Sequence, residues 1–159
     1  MGAQEPIFHN YNRVGELKVF NKILVPTDLS DFSQRALTTA IDMAQKYDAK
    51  INLFYVVADF HDMYDSYDLD FNRIDQRLVA DGAQKLEEML KKIDIRGVEI
   101  TKTVTPGYPS VAILDQIKRE AIELVVMGSH GRGAIMGSIL GSVSQKVITH
   151  AECPVLIVK

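Results

Sequence analysis

Three short runs of this chain are apolar at nearly every position: Ile23-Leu24-Val25, the INLFYVV of residues 51–57, and Leu124 through Met127. A strand with one wet face alternates in polarity, whereas a strand covered on both faces reads as a continuous apolar run. Covering both faces of such strands requires helices above and below a parallel sheet. The rest of the chain must therefore supply those helices between the strands.

It does so in order. After the first strand, residues 22–26, Ser30 is placed to cap a helix whose Ala36, Leu37, Ala40, Ile41 and Ala44 share one face as far as Tyr47. The second strand, 50–57, is followed by a helix over residues 75–95 that turns Leu78, Leu86, Met89, Leu90 and Ile93 inward, with Gly97 near its end. Residues 98–105 alternate, Val98, Ile100 and Val104 against Glu99, Thr101 and Thr103, and so predict an edge strand. Gly107 turns the chain and Pro109 suits the first position of a third helix, whose expected buried stripe is Val111, Leu114, Ile117 and Ala121. Strand four is 124–127, a fourth helix passes through Val143, Val147 and Ile148 and ends at His150, and PVLIV at 154–158 is strand five.

Five alternations of strand and helix in 159 residues predict one α/β domain, an open five-stranded parallel sheet with helices on both faces. With the most apolar strands central and the alternating strand at an edge, the expected order is 3-2-1-4-5. The direction of winding then reverses between strands one and four, where ligands bind just beyond the carboxyl ends of open sheets. Pro26, Thr27 and Asp28 would meet Met127 and Gly128 there. A carboxylate at the end of a central strand either closes a turn or faces a ligand, and Asp28 is open to both readings.

The segment after strand four carries Gly128, Gly131, Gly133, Gly137 and Gly141, five of the ten glycines in the chain, and leads into a helix. Glycine admits a ligand close to the backbone, and the first amides of a helix lack internal acceptors and lie at the positive end of its dipole. An anion suits that combination. Two common phosphate patterns fail: no glycine here is followed by lysine, and Gly131-Arg132-Gly133 is followed at the third place by Met136. What fits is Gly-x2-Gly-x9-Gly-Ser, formed by Gly128, Gly131, Gly141 and Ser142.

That pattern, together with Val25-Pro26-Thr27-Asp28 and Val126-Met127-Gly128-Ser129-His130-Gly131, resembles the ATP-binding branch of the universal stress protein family over residues 21–159. The resemblance implies an ATP (or ADP or AMP) site, with or without Mg2+. Pro26, Thr27, Asp28 and Val56 would surround base and ribose, and Met127, Gly128 and Gly131 would touch ribose and phosphate. Backbone amides of Gly141, Ser142 and Val143, with the Ser142 hydroxyl, would hold the phosphates. Ser129, His130, Arg132 and Gly133 complete the candidate set; Arg132 either neutralises phosphate charge or is solvated. The resemblance further implies a stress-response regulator that forms a homodimer through Val155–Val158, an apolar edge strand that pairing would cover. Alternatives are a slow ATP hydrolase or phosphotransfer enzyme in the same crevice, or a dimeric scaffold without nucleotide.

Other features narrow the reading by exclusion. A net charge of −3 with scattered lysines and arginines argues against a nucleic-acid partner. The single cysteine, Cys153, forbids an internal disulfide and is expected to be an inert, buried thiol. No catalytic residue is assigned, because His130 has no evident serine, cysteine or acid partner. The acidic aromatic stretch 59–72 lacks the spacing of a calcium loop, and no metal-ligand set is assigned. Residues 1–20 read as an N-terminal arm without a secretory pattern, and no apolar stretch is long enough to cross a bilayer, so a cytoplasmic location is expected.

Overall fold

The computed structural model describes residues 20–57, 71–133 and 139–159. Chain order is β1 (Lys22–Thr27), α1 (Asp31–Tyr47), β2 (Lys50–Val57), α2 (Phe71–Leu90), β3 (Ile100–Pro106), α3 (Pro109–Arg119), β4 (Leu124–Gly128), α4 (Ser142–His150) and β5 (Val155–Val158). The strands form one parallel sheet in the order β3-β2-β1-β4-β5, as the apolar patterning predicts. Val14, Leu17, the acidic aromatic residues 59–70 and Gly137 lie outside the described residues.

Two apolar cores sandwich the sheet. On one face, Ala36, Leu37, Ala40, Ile41 and Ala44 of α1 and Leu86 and Met89 of α2 pack on Ile23, Val25, Ile51, Leu53, Leu124 and Val126. On the other, Ile113 and Ile117 of α3 and Val147 of α4 cover Leu24, Phe54, Val125 and Met127. Alternate residues of each strand feed opposite cores, which is why these strands show no polar alternation. Phe20 packs edge-on against Tyr47 with ring centroids 6.4 Å apart.

Several boundaries differ from the sequence expectation. Helix α2 runs from Phe71 to Leu90 rather than over 75–95. Beyond Leu90 the backbone tightens to three-residue bonds, Lys92 to Met89 and Ile93 to Leu90, and leaves through positive φ at Arg96 and Gly97. Strand β3 begins at Ile100 instead of 98. In α3 the buried face is Ile113, Gln116 and Ile117, whereas Val111 is 55% exposed and Ala121 lies past the helix end with φ 49°. Ile148 of α4 is likewise exposed. Cys153 is half-buried, and burial pushes its thiol above its ordinary value.

The crevice follows from the register. Strand β1 pairs with β2 along its whole length, to Thr27 opposite Tyr55, but with β4 only at Ile23–Leu124 and Leu24–Val125. Beyond that point β4 continues alongside β5. The two central strands therefore part at their carboxyl ends. Helix α1 starts close against the gap: a Cβ on Gly128 would stand 2.8 Å from Phe32 Cβ and 2.9 Å from the Phe32 carbonyl carbon. Gly128→Ala should thus push the first turn of α1 off β4 and lower stability by about 2 kcal/mol, a typical overpacking loss. Gly133→Ala, with open space at its Cβ, should leave the urea midpoint unchanged.

Candidate functional site

Where β1 and β4 part, a cleft of about 480 Å³ opens at the carboxyl end of the sheet. Its floor includes Pro26, Thr27 and Asp28 at the end of β1. The wall on the β2 side is apolar, with Phe54 and Val56 of β2 and Pro109 and Ile113 of α3. Opposite stand Met127 and Gly128 of β4, the loop residues His130, Gly131, Arg132 and Gly133, and Gly141, Ser142 and Val143 at the start of α4. Segments about a hundred residues apart in sequence meet in this one space.

Asp28 organises that meeting. Its Oδ1 accepts hydrogen bonds from the Ser30 amide (3.1 Å) and hydroxyl (2.6 Å), and its Oδ2 accepts from the Arg132 amide at 2.6 Å. Asp28 thus closes its own turn and also lines the cleft. A side chain on Gly131 would displace this carboxylate, since its Cβ would stand 2.5 Å from Oδ2. Beneath it, the Leu29 amide donates to Thr27 Oγ1, Thr27 Oγ1 donates to Ser33 Oγ, and Ser33 Oγ donates to the Ser30 carbonyl. Leu29 takes φ 67°, the left-handed conformation that this tight turn imposes.

Every residue of the sequence-derived set lines the cleft except Ser129. Ser129 is 1% exposed and works as a clasp: its amide donates to the Val158 carbonyl at 2.8 Å and its carbonyl accepts from the Gly141 amide at 2.8 Å. The expected role of Gly141 as an amide donor to phosphate is therefore corrected, because that N–H is engaged within the protein. The Arg132 amide is engaged as well, by Asp28. The first backbone bond of α4 is donated by Gln145 to Gly141, which leaves the amides of Ser142, Val143 and Ser144 without an acceptor inside the helix. No acidic residue occupies that turn, and the Ser144 hydroxyl anchors it to the Gly128 carbonyl at 2.9 Å.

Several lining residues escape the motif. Phe54 lies two positions before Val56 on the same face of β2, and strand periodicity alone implicates it. Pro109 and Ile113 are one turn apart on α3. Ser33, Leu140, Ser144 and Gln145 carried no separate signal. Among the described residues no cluster of histidine, cysteine, aspartate or glutamate could hold a metal ion.

The ionisation of Asp28 has a definite sign. Burial pushes its carboxyl upward, but the hydrogen bonds from the Ser30 hydroxyl and the Arg132 and Ser30 amides outweigh burial and leave it below its ordinary 3.8. Stability linked to this group is complete above the unfolded value and is lost as pH falls through the lower folded one. Asp28→Asn should consequently be destabilising near neutrality, and its difference from the parent should shrink as the medium is acidified below 3.8, read by urea unfolding across that range.

Comparison with known proteins agrees with this architecture. The sequence model of the universal stress protein family matches residues 20–159. A universal stress protein of Methanocaldococcus jannaschii is 33% identical over 153 residues, covering 96% of this chain and 89% of that protein. A solved structure of another protein from that organism superposes with a TM-score of 0.77 at 27% identity, covering 88% of this chain and 96% of its own. The fold also recurs, at 24% identity and a TM-score of 0.63, in a universal stress protein solved in complex with cAMP, over 88% of this chain and 97% of that one. With its motif, strand order and cleft accounted for, the chain belongs to the universal stress protein family.

Proposed function

We propose that the cleft binds an adenine nucleotide, ATP, ADP or AMP, with Mg2+ able to bridge its phosphates. The observation that carries this reading is the pairing, in one space, of an apolar wall with helix amides. Phe54, Val56, Pro109 and Ile113 offer a flat base an apolar surface, while the first-turn amides of Ser142, Val143 and Ser144, which have no acceptor within α4, offer an anion the positive end of that helix. The universal stress protein solved with cAMP is an instance of this fold holding an adenine nucleotide, in that protein.

The protein acts in this reading as a stress-response regulator in the cytoplasm, a binding module rather than an enzyme. Phosphoryl transfer draws on a cationic clamp and a group that positions the nucleophile. The loop contributes Arg132, and the next cation in sequence is Lys146 on α4. Two copies would pair along β5, an edge strand whose Leu156 is 37% exposed.

Denaturing freshly purified protein should release adenine nucleotide detectable by mass spectrometry. Gly131→Ala, by displacing the Asp28 carboxylate, should weaken ATP binding at least about tenfold by calorimetry, a loss of about 1.4 kcal/mol. Unaltered affinity would remove the cleft from consideration. Leu156→Lys should convert a dimer into a monomer in sedimentation velocity, and an unchanged sedimentation coefficient would place any self-association elsewhere.

A further inference from the structure

We propose that the cleft is built for a nucleoside monophosphate: one phosphate is seated, and a second or third adds no affinity. The inference rests on the adenine-nucleotide reading above and narrows it to a chemical class, with AMP bound at least as tightly as ATP.

The walls set which way a nucleotide lies. Its base takes the apolar side formed by Phe54, Val56, Pro109 and Ile113, which directs its first phosphate to Ser142, Val143 and Ser144 on the opposite wall. That turn is held in place from behind. The Ser144 hydroxyl donates to the Gly128 carbonyl at 2.9 Å, and the Gly141 amide, just ahead of the turn, donates to the Ser129 carbonyl at 2.8 Å. Donors fixed in advance need little ordering when a ligand arrives, and a phosphate at a helix start gains from amides and dipole together.

Phosphates beyond the first meet a different surface. The wall on that side continues as Gly131, Arg132 and Gly133, and the Arg132 amide is already given to Asp28 Oδ2 at 2.6 Å. Asp28 lines the cleft at this point, with Oδ2 placed 2.5 Å from where a Cβ on Gly131 would stand. Hydrogen bonds hold this carboxyl below its ordinary 3.8, so it is ionised near neutrality. A second phosphate therefore approaches a fixed negative charge. The attraction offered in return is weak: Arg132 is exposed, where salt screens it, and residues 134–145 include no lysine or arginine. With AMP and ATP competing for one cleft at similar affinity, its occupant follows their ratio, which reactions that cleave ATP to AMP and pyrophosphate shift.

Titration calorimetry of the full chain with adenosine, AMP and ATP, each with and without Mg2+, tests this. AMP should bind at least about tenfold more tightly than adenosine, the yield of charge-assisted hydrogen bonds to one phosphate, and at least as tightly as ATP in both media. Ser142→Pro removes one first-turn N–H at a helix position that accepts proline. It should shrink the ratio of AMP to adenosine affinity further than Ser142→Ala, which removes only the hydroxyl. Asp28→Asn should shift the preference between AMP and ATP toward ATP, a ratio that a mere loss of packing would leave in place. ATP binding more tightly than AMP in either medium, AMP no tighter than adenosine, equal ratios in the two Ser142 variants, or Asp28→Asn without the shift would each overturn the inference and leave the adenine-nucleotide reading standing. No binding of any of the three ligands would overturn both.

Discussion

The early separation of β1 from β4 is the constraint on which the rest of the molecule depends. Two register pairs hold these strands together, after which β1 stays with β2 and β4 stays with β5. A parallel sheet wound in both directions from its centre cannot place a crossover helix over that junction, and the gap faces solvent at the strand ends. Asp28 bridges it, joining the end of β1 to the loop after β4 through the Arg132 amide. The carboxylate is thus at once part of the framework and part of the cleft wall.

This double duty also explains the distribution of donors. A glycine-rich loop is commonly read as a cradle of exposed amides, yet here the Arg132 and Gly141 amides are engaged by Asp28 and Ser129. Glycine at 131 lets the Asp28 carboxylate approach, and a Cβ there would displace it. The loop shapes the cleft, and the first turn of α4 supplies its electropositive surface.

Much of this was legible in the letters. Unbroken apolar runs located β1, β2 and β4, and the alternation in β3 put it at an edge, because a strand's polarity pattern records what covers each face. The motif glycines and Pro26, Thr27 and Asp28 converged as expected. The errors share one cause: a helical period identifies a stripe but not its phase against a neighbour. Val111 and Ile148 fit the stripe and point outward, while Gln116, polar by type, is 2% exposed beneath α3. Hydrogen-bond partners such as Ser129 with Val158 depend on tertiary register and leave no local trace.

The clasp at Ser129 has a mechanical implication. Its amide is bound to the Val158 carbonyl, one residue from the last of the 159, and its own carbonyl holds the residue that opens α4. Two hydrogen bonds in series therefore join the terminal strand to the helix start that faces the cleft. A fusion, affinity tag or deletion placed directly after β5 pulls on that linkage.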